Sequence, residues 1–218
     1  RVLFRSITSE DNPMDLVMGA NGVLRLQPDT QTSTFYFNQL TSSGAGGAIT
    51  GFGSGDPDQR VELLIMGDSN YSGEISDGDP GSDASLLFSL RGSNFEYTGN
   101  ASYSGATQVR EGSVLQLGNE AGDRGEIIGT TRVGAFITSP DAQSNEIHIV
   151  NGQLSTAIGT GSTQDGAFVL ESNAKLYLFN PDGPDVSGLF VAGDLNVLGS
   201  SSLLEMETGT DRKSTRLN

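Results

Sequence analysis

Candidate calcium ligands concentrate in one acidic turn, SDGDPGSD at Ser76–Asp83. Its three carboxylates belong to Asp77, Asp79 and Asp83. Carboxylate oxygens are ligands that calcium prefers, but an EF-hand loop aligned here has serine at the glycine position and phenylalanine at the final glutamate position. We therefore expect a solvated acidic turn, with a calcium site as the alternative. Asp182 and Asp185 form a second, weaker candidate of the same kind.

Paired carboxylates are what glycoside hydrolysis requires, and the chain has many acids. They include Glu62, Glu74, Glu96, Glu111, Glu126 and Glu171. The basic residues that could bind an acidic polysaccharide are few and scattered, namely Arg25, Arg60, Arg91, Arg110, Arg124, Arg132 and Lys175. We predict no enzymatic activity, no cofactor, and no catalytic, cofactor-binding or metal-binding residue. A polysaccharide-cleaving enzyme, either a lyase or a glycoside hydrolase, is the alternative.

The other residues that could carry chemistry do not form a recognisable motif in the sequence. His148 is the single histidine, and it alternates with two isoleucines, so it points to solvent if they point inward. The glycine-rich stretch Gly51–Gly55 lacks the spacing of a dinucleotide-binding loop, and no helix is predicted after it. The chain has no cysteine, which excludes disulfides, thiol catalysis and cysteine-ligated zinc.

The charge balance is strongly acidic. Twelve Lys and Arg residues oppose 27 Asp and Glu residues, which gives a net charge of −15. Because nucleic acids and anionic membranes attract basic proteins, this composition argues against both as partners. The acidic side chains are expected to keep a solvent-exposed surface soluble.

Both termini resemble translated sequencing adapters. Residues 1–6 (RVLFRS) and 211–218 (DRKSTRLN) hold five of the basic residues and one acid, so residues 7–210 carry a net charge of −19. We set these ends aside and expect 7–210 to be an internal fragment of a longer protein.

The elements that carry these groups are short strands. Glycine makes up 30 of 218 residues, about twice its usual share, and apolar residues alternate or form short runs such as Val61–Met66. No window shows a helical stripe. The pattern predicts an all-β fold, with a β-sandwich as one way to arrange it.

Internal recurrence indicates a stacked repeat instead. GDSNYSG at Gly67–Gly73 recurs as GNASYSG at Gly99–Gly105. Strand–turn–strand segments ending in Leu-x-Leu also recur, at Leu16–Leu26, Thr107–Leu117 and Phe168–Leu178. We expect Tyr71 and Tyr103 to pack at one corner of the repeat.

Glycine is expected at corners of the repeat where the backbone requires a positive φ. We predict that conformation for Gly105 and Gly112.

The best copy of the repeat resembles a known family. Asn94–Leu117, with its Tyr-Ser-Gly corner and the segment VREGSVLQL at Val109–Leu117, is similar to the autotransporter-associated β-strand repeat. Val61–Ser76 resembles the segment that leads into that repeat. The resemblance implies a right-handed parallel β-helix in a surface-exposed passenger, and it implies no catalytic residues.

From this resemblance we expect a non-catalytic, surface-displayed solenoid that acts in adhesion or as a structural stalk. The expected location is extracellular or on the outer-membrane surface, with an outer-membrane barrel domain downstream in the full-length protein. Expected partners are cell-surface or glycan molecules, not nucleic acid, and the chain is expected to be a monomer. The loops Gly51–Arg60, Ser76–Ala84 and Thr138–Ser144 are the predicted contact points.

Overall fold

The computed structural model describes residues 2–5, 9–29, 31–53, 59–78, 85–129, 136–138, 144–155, 168–170, 174–180, 188–190, 195–197 and 203–208. Regular structure in these ranges is entirely β. They contain no helix with the length and apolarity needed to cross a membrane.

The strands are short and follow one another closely. They are β1 Val2–Arg5, β2 Met14–Gly19, β3 Val23–Gln27, β4 Thr32–Ser43, β5 Ala48–Gly51, β6 Arg60–Ile65, β7 Ser69–Tyr71, β8 Glu74–Ser76, β9 Ser85–Arg91, β10 Asn94–Tyr97, β11 Asn100–Tyr103, β12 Thr107–Arg110, β13 Val114–Leu117, β14 Gly125–Gly129, β15 Phe136–Thr138, β16 Glu146–Ile149, β17 Gly152–Ser155, β18 Phe168–Leu170, β19 Lys175–Asn180, β20 Gly188–Phe190, β21 Leu195–Val197 and β22 Leu203–Thr208.

These strands stack in parallel on three faces. Face A is the sheet β1-β3-β5-β8-β11-β14-β17-β20. The long strand β4 joins the other two faces, because its first half pairs with β6 and its second half with β2 and β7. Face B continues from β4 through β7, β10, β13, β16, β19 and β22, and face C continues through β6, β9, β12, β15, β18 and β21.

The chain therefore winds as a β-solenoid. Successive strands such as β7, β8 and β9 lie on faces B, A and C, and all strand pairings in the described ranges are parallel. This confirms the all-β parallel β-helix. It excludes the β-sandwich, which is built from antiparallel sheets.

The core is the space that the three faces enclose. Alternate residues point inward, and paired strands place equivalent residues one above another, as in the evenly spaced face A row Ile49, Ile75, Ala101 and Ile127. Each member of this row is at most 4% exposed. A single coil has too little apolar surface to fold alone, so each coil is stabilised by the coils that cover it.

Glycine forms the corner between faces B and A because two coils approach closely there. A Cβ on Gly47, Gly73 or Gly99 would lie 2.3, 2.2 or 2.1 Å from the carbonyl oxygen of the glycine one coil earlier. Real Cβ atoms essentially never come within 3.0 Å of another heavy atom. These three glycines, which we call the glycine corner, are therefore required by space rather than by backbone conformation.

Buried tyrosines reinforce the glycine corner. The Tyr71 hydroxyl donates to the Gly47 carbonyl at 2.9 Å, and the Tyr97 hydroxyl donates to the Gly73 carbonyl at 2.8 Å. The two rings stack with centroids 6.3 Å apart. Each tyrosine thus ties its own coil to the coil before it.

The expected pairing of Tyr71 with Tyr103 is wrong. Tyr71 pairs in register with Tyr97 on face B, whereas Tyr103 lies on face A, where its hydroxyl bonds the Thr107 side chain at 2.5 Å. The reason is that one full coil near this corner runs from Tyr71 only as far as Tyr97. The spacing between the two Tyr-Ser-Gly segments is longer than one coil, so their tyrosines lie on different faces.

The two glycine predictions have different outcomes. Gly112 has a φ of +76°, as predicted. Gly105 does not have a positive φ. A Cβ at Gly105 would lie 2.2 Å from the Leu86 carbonyl oxygen, so close approach explains this glycine.

Of the two chain ends that resemble sequencing adapters, the structure describes only the first. Residues 2–5 form β1, which pairs with β3 in parallel register. Residues 211–218 lie outside the described residues.

Candidate functional site

The turns between faces B and A have unequal lengths. Gly44–Gly47 links β4 to β5 with four residues, and residues 118–124 link β13 to β14 with seven. The two coils between them turn through only Ser72–Gly73 and Thr98–Gly99. Since successive coils are ~4.8 Å apart, the two longer turns are about 14 Å apart, centre to centre, and flank a depression.

This depression continues across the glycine corner as a furrow. On face B it encloses about 450 Å³ between Ala45, Ser72, Glu96 and Asp123. Ala45 and Ser72 also line a second hollow of about 360 Å³, which reaches Glu74 on face A. Glu74 in turn lines a third hollow of about 260 Å³. We call these three neighbouring hollows, which share lining residues, the corner furrow.

Amide side chains surround the carboxylate of Glu96 in the furrow. Glu96 Oε1 accepts hydrogen bonds from Asn70 Nδ2 at 3.2 Å and from Asn119 Nδ2 at 3.3 Å. Its Oε2 accepts one from Gln116 Nε2 at 3.4 Å. Asn119 Nδ2 also donates to Asp123 Oδ2 at 3.0 Å, so a single amide bridges the two carboxylates. The carboxylate is held in place by neutral donors.

The far end of the furrow, on face A, combines an aromatic ring with a cation. The Arg25 guanidinium carbon lies 5.1 Å from the centre of the Phe52 ring, in cation–π geometry. The hydroxyl side chains of Thr50 and Ser76 and the carboxylate of Glu74 line the same hollow.

Several carboxylates considered for glycan cleavage are engaged in ion pairs instead. Glu62 Oε1 binds Arg110 at 3.0 Å, and Glu111 Oε1 binds Arg91 at 2.8 Å. Glu126 pairs with Arg124 in the same way.

The structure brings two of the proposed carboxylates, Glu74 and Glu96, into the corner furrow, where they line different hollows. Glu171 and Arg132 lie outside the described residues.

Asp77 has a structural role in the turn considered for calcium. Its Oδ1 accepts the backbone N–H of Leu86, and its Oδ2 accepts that of Ser104, both at 2.8 Å. The carboxylate therefore joins the ends of three strands on two faces.

The other residues named for calcium, Asp79, Asp83, Asp182 and Asp185, lie outside the described residues. Within the described ranges no three His, Asp or Glu side chains are grouped in a way that could hold a metal ion.

His148 points outward from face B, as predicted, because Ile147 and Ile149 are fully buried. Its Nε2 lies 3.0 Å from Glu146 Oε2, and its ring meets the Tyr177 ring edge-on at 4.9 Å. Glu146 also binds the Lys175 ammonium at 2.8 Å. Burial acts to raise the pKa of Glu146, but hydrogen bonds from Lys175 and His148 outweigh it and lower the pKa.

Sequence reasoning did not find the corner furrow. Its polar residues are common types without a motif, and the furrow depends on differences in turn length between coils. A comparison of those turns, once the coils are correctly aligned, is the signal that would reveal it. Residues 54–58, 79–84 and 139–143 of the loops predicted as contact points lie outside the described residues.

Comparison with protein-family models, characterised proteins and solved structures finds no match to this chain.

Proposed function

We propose that the chain is part of an autotransporter-type passenger, a non-catalytic β-solenoid that is displayed on the cell surface. In this role it acts in adhesion or as a structural stalk, as a monomer, at an extracellular or outer-membrane location. Its contacts are with cell-surface or glycan molecules, and an outer-membrane barrel domain follows it in the full-length protein.

The observation that carries this proposal is that acidic side chains on the outer surface form ion pairs between coils. Glu62, Glu111 and Glu146 each bind a basic side chain on another coil or turn, at 2.8 to 3.0 Å. Such contacts fix a polar coat around a filled core, which suits a rod that works through its surface. The resemblance of Asn94–Leu117 to the autotransporter-associated repeat supports the same role.

Sequencing outward from both sides of the source DNA tests the proposal. We expect a signal peptide upstream and, downstream, about 12 segments of roughly ten alternating residues that encode the barrel. A reading frame without an export signal would refute surface display. A flanking catalytic domain would reduce the solenoid to a stalk for that domain.

The alternative function is polysaccharide cleavage. It is favoured by one observation, that Glu74 and Glu96 both line the corner furrow. A reducing-end assay on plant and microbial glycans tests it directly. New reducing ends that disappear in Glu74→Gln or Glu96→Gln variants would establish an enzyme and refute the non-catalytic proposal.

A further inference from the structure

We propose that the corner furrow binds a linear, neutral glycan in an extended conformation. This inference rests on the adhesive function proposed above and specifies the class of ligand. It assigns the binding site to the hollows between Arg25 and Glu96 rather than to the exposed loops.

The shape of the furrow suits a chain better than a compact ligand. Its three hollows share lining residues, so a bound chain could pass from Phe52 on face A, over Gly73, to Glu96 on face B. Where the path bends, Gly73 and the small side chain of Ser72 line the second hollow. At the corner, the longer turns at Gly44–Gly47 and residues 118–124 limit the path on either side.

The lining chemistry suits a polyhydroxylated ligand. Hydroxyl and amide side chains predominate, among them Ser42, Ser72, Thr98, Asn70, Asn100 and Ser102. These groups both donate and accept hydrogen bonds, as sugar hydroxyls do.

A protein partner would instead need an apolar centre to its interface. Large apolar side chains are not exposed in the described part of the chain except at Val17, which is 68% exposed and lies on β2 outside the furrow.

The charge of the furrow selects a neutral glycan. Three carboxylates, those of Glu74, Glu96 and Asp123, line it against two arginines, Arg25 and Arg124. Arg124 also forms an ion pair with Glu126. With a net charge of −15 on the whole chain, an acidic polysaccharide would be repelled.

Calorimetric titration of the whole chain tests the proposal. The probes are maltohexaose, cellohexaose and chitohexaose, with hexagalacturonate as the acidic comparison. Thr98→Trp would fill the furrow at its tight corner and should weaken binding at least about tenfold.

The matched control is Val150→Trp. Val150 follows β16 as Thr98 follows β10, but it lies two coils further on and does not line the furrow. Asn100→Trp, at an exposed strand position on face A, is a second blocking variant if Thr98→Trp does not fold.

Binding of a neutral hexasaccharide that is lost in a blocking variant and kept in Val150→Trp would support the proposal. Equal binding in all variants, stronger binding of hexagalacturonate, or no binding of any neutral probe would overturn it. None of these results decides whether the chain is a surface passenger, because that depends on the flanking sequence. Hydrolysis of a probe would refute the non-catalytic function separately.

Discussion

Replacing Gly99 with alanine tests the central feature of the fold, the close approach of coils at the glycine corner. Gly99 does not have a positive φ, so its conformation is open to any residue. On backbone entropy alone, alanine should stabilise the fold by roughly 0.4–1 kcal/mol. The added Cβ, however, would lie 2.1 Å from the Gly73 carbonyl oxygen, where ordinary contact begins at 3.4 Å.

The two coils would have to separate locally by more than an ångström to accept the methyl group. That movement breaks the bond from the Thr98 amide to the Tyr71 carbonyl, now 3.0 Å, and the 2.8 Å bond from the Tyr97 hydroxyl to the Gly73 carbonyl. A buried polar group without its partner costs about 1–3 kcal/mol. We therefore expect Gly99→Ala to destabilise the chain by about 2–5 kcal/mol.

Equilibrium unfolding in urea, followed by circular dichroism, measures this change. Gly19→Ala is the matched control, because nothing lies within 4 Å of its added Cβ and its φ is not positive. Gly122→Ala has the same open space but a φ of +100°, so it isolates backbone strain of roughly 1–2 kcal/mol. If Gly99→Ala is as stable as Gly19→Ala, the steric explanation of the glycine corner is wrong.

Three further predictions concern the polar groups that join the coils. Tyr97→Phe should cost about 1–2 kcal/mol in the free energy of unfolding, measured in urea, because it removes a buried hydrogen bond between coils. Burial also raises the pKa of Tyr97 well above its ordinary value of 10, so stability present below about pH 10 should be lost as pH rises further, and less steeply in Tyr97→Phe. Asp77→Ala should lower the melting temperature through a loss of about 2–4 kcal/mol, since it leaves two backbone N–H groups without their acceptor; an unchanged melting temperature, with or without calcium, would contradict this structural role. Lys175→Met should raise the pKa of Glu146 toward its ordinary value of 4.5 in an NMR titration. The stability that this carboxylate contributes above pH 4.5, which is lost as the pH falls through its lowered pKa, should then be smaller.

Sequence alone predicted the class of fold because the signals for it are local. Alternation of apolar residues placed Leu115 and Leu117 inward and His148 outward, and the glycine turns separated the strands. The positive φ at Gly112 followed from its position in a turn. Each of these features depends on a few neighbouring residues.

The alignment of coils could not be taken from the clearest sequence repeat. NYSGEIS at Asn70–Ser76 is stacked on EYTGNAS at Glu96–Ser102, although Tyr-Ser-Gly recurs at Tyr103. Strand pairing selects the alignment that stacks Tyr71 on Tyr97 and the glycines on one another, because that alignment forms the corner. Because the furrow depends on this alignment, it could not be predicted from the sequence either.

The parallel stacking of coils also determines how the molecule responds to force. Backbone hydrogen bonds between coils run along the solenoid axis, so a pull along that axis loads them in tension, coil by coil, rather than in shear across a whole sheet. The coil from Tyr71 to Tyr97 would span ~90 Å when extended, but it occupies only ~4.8 Å when stacked. Under tension each coil would release nearly twenty times its folded length, and the solenoid would act as an extensible tether that absorbs energy in small steps.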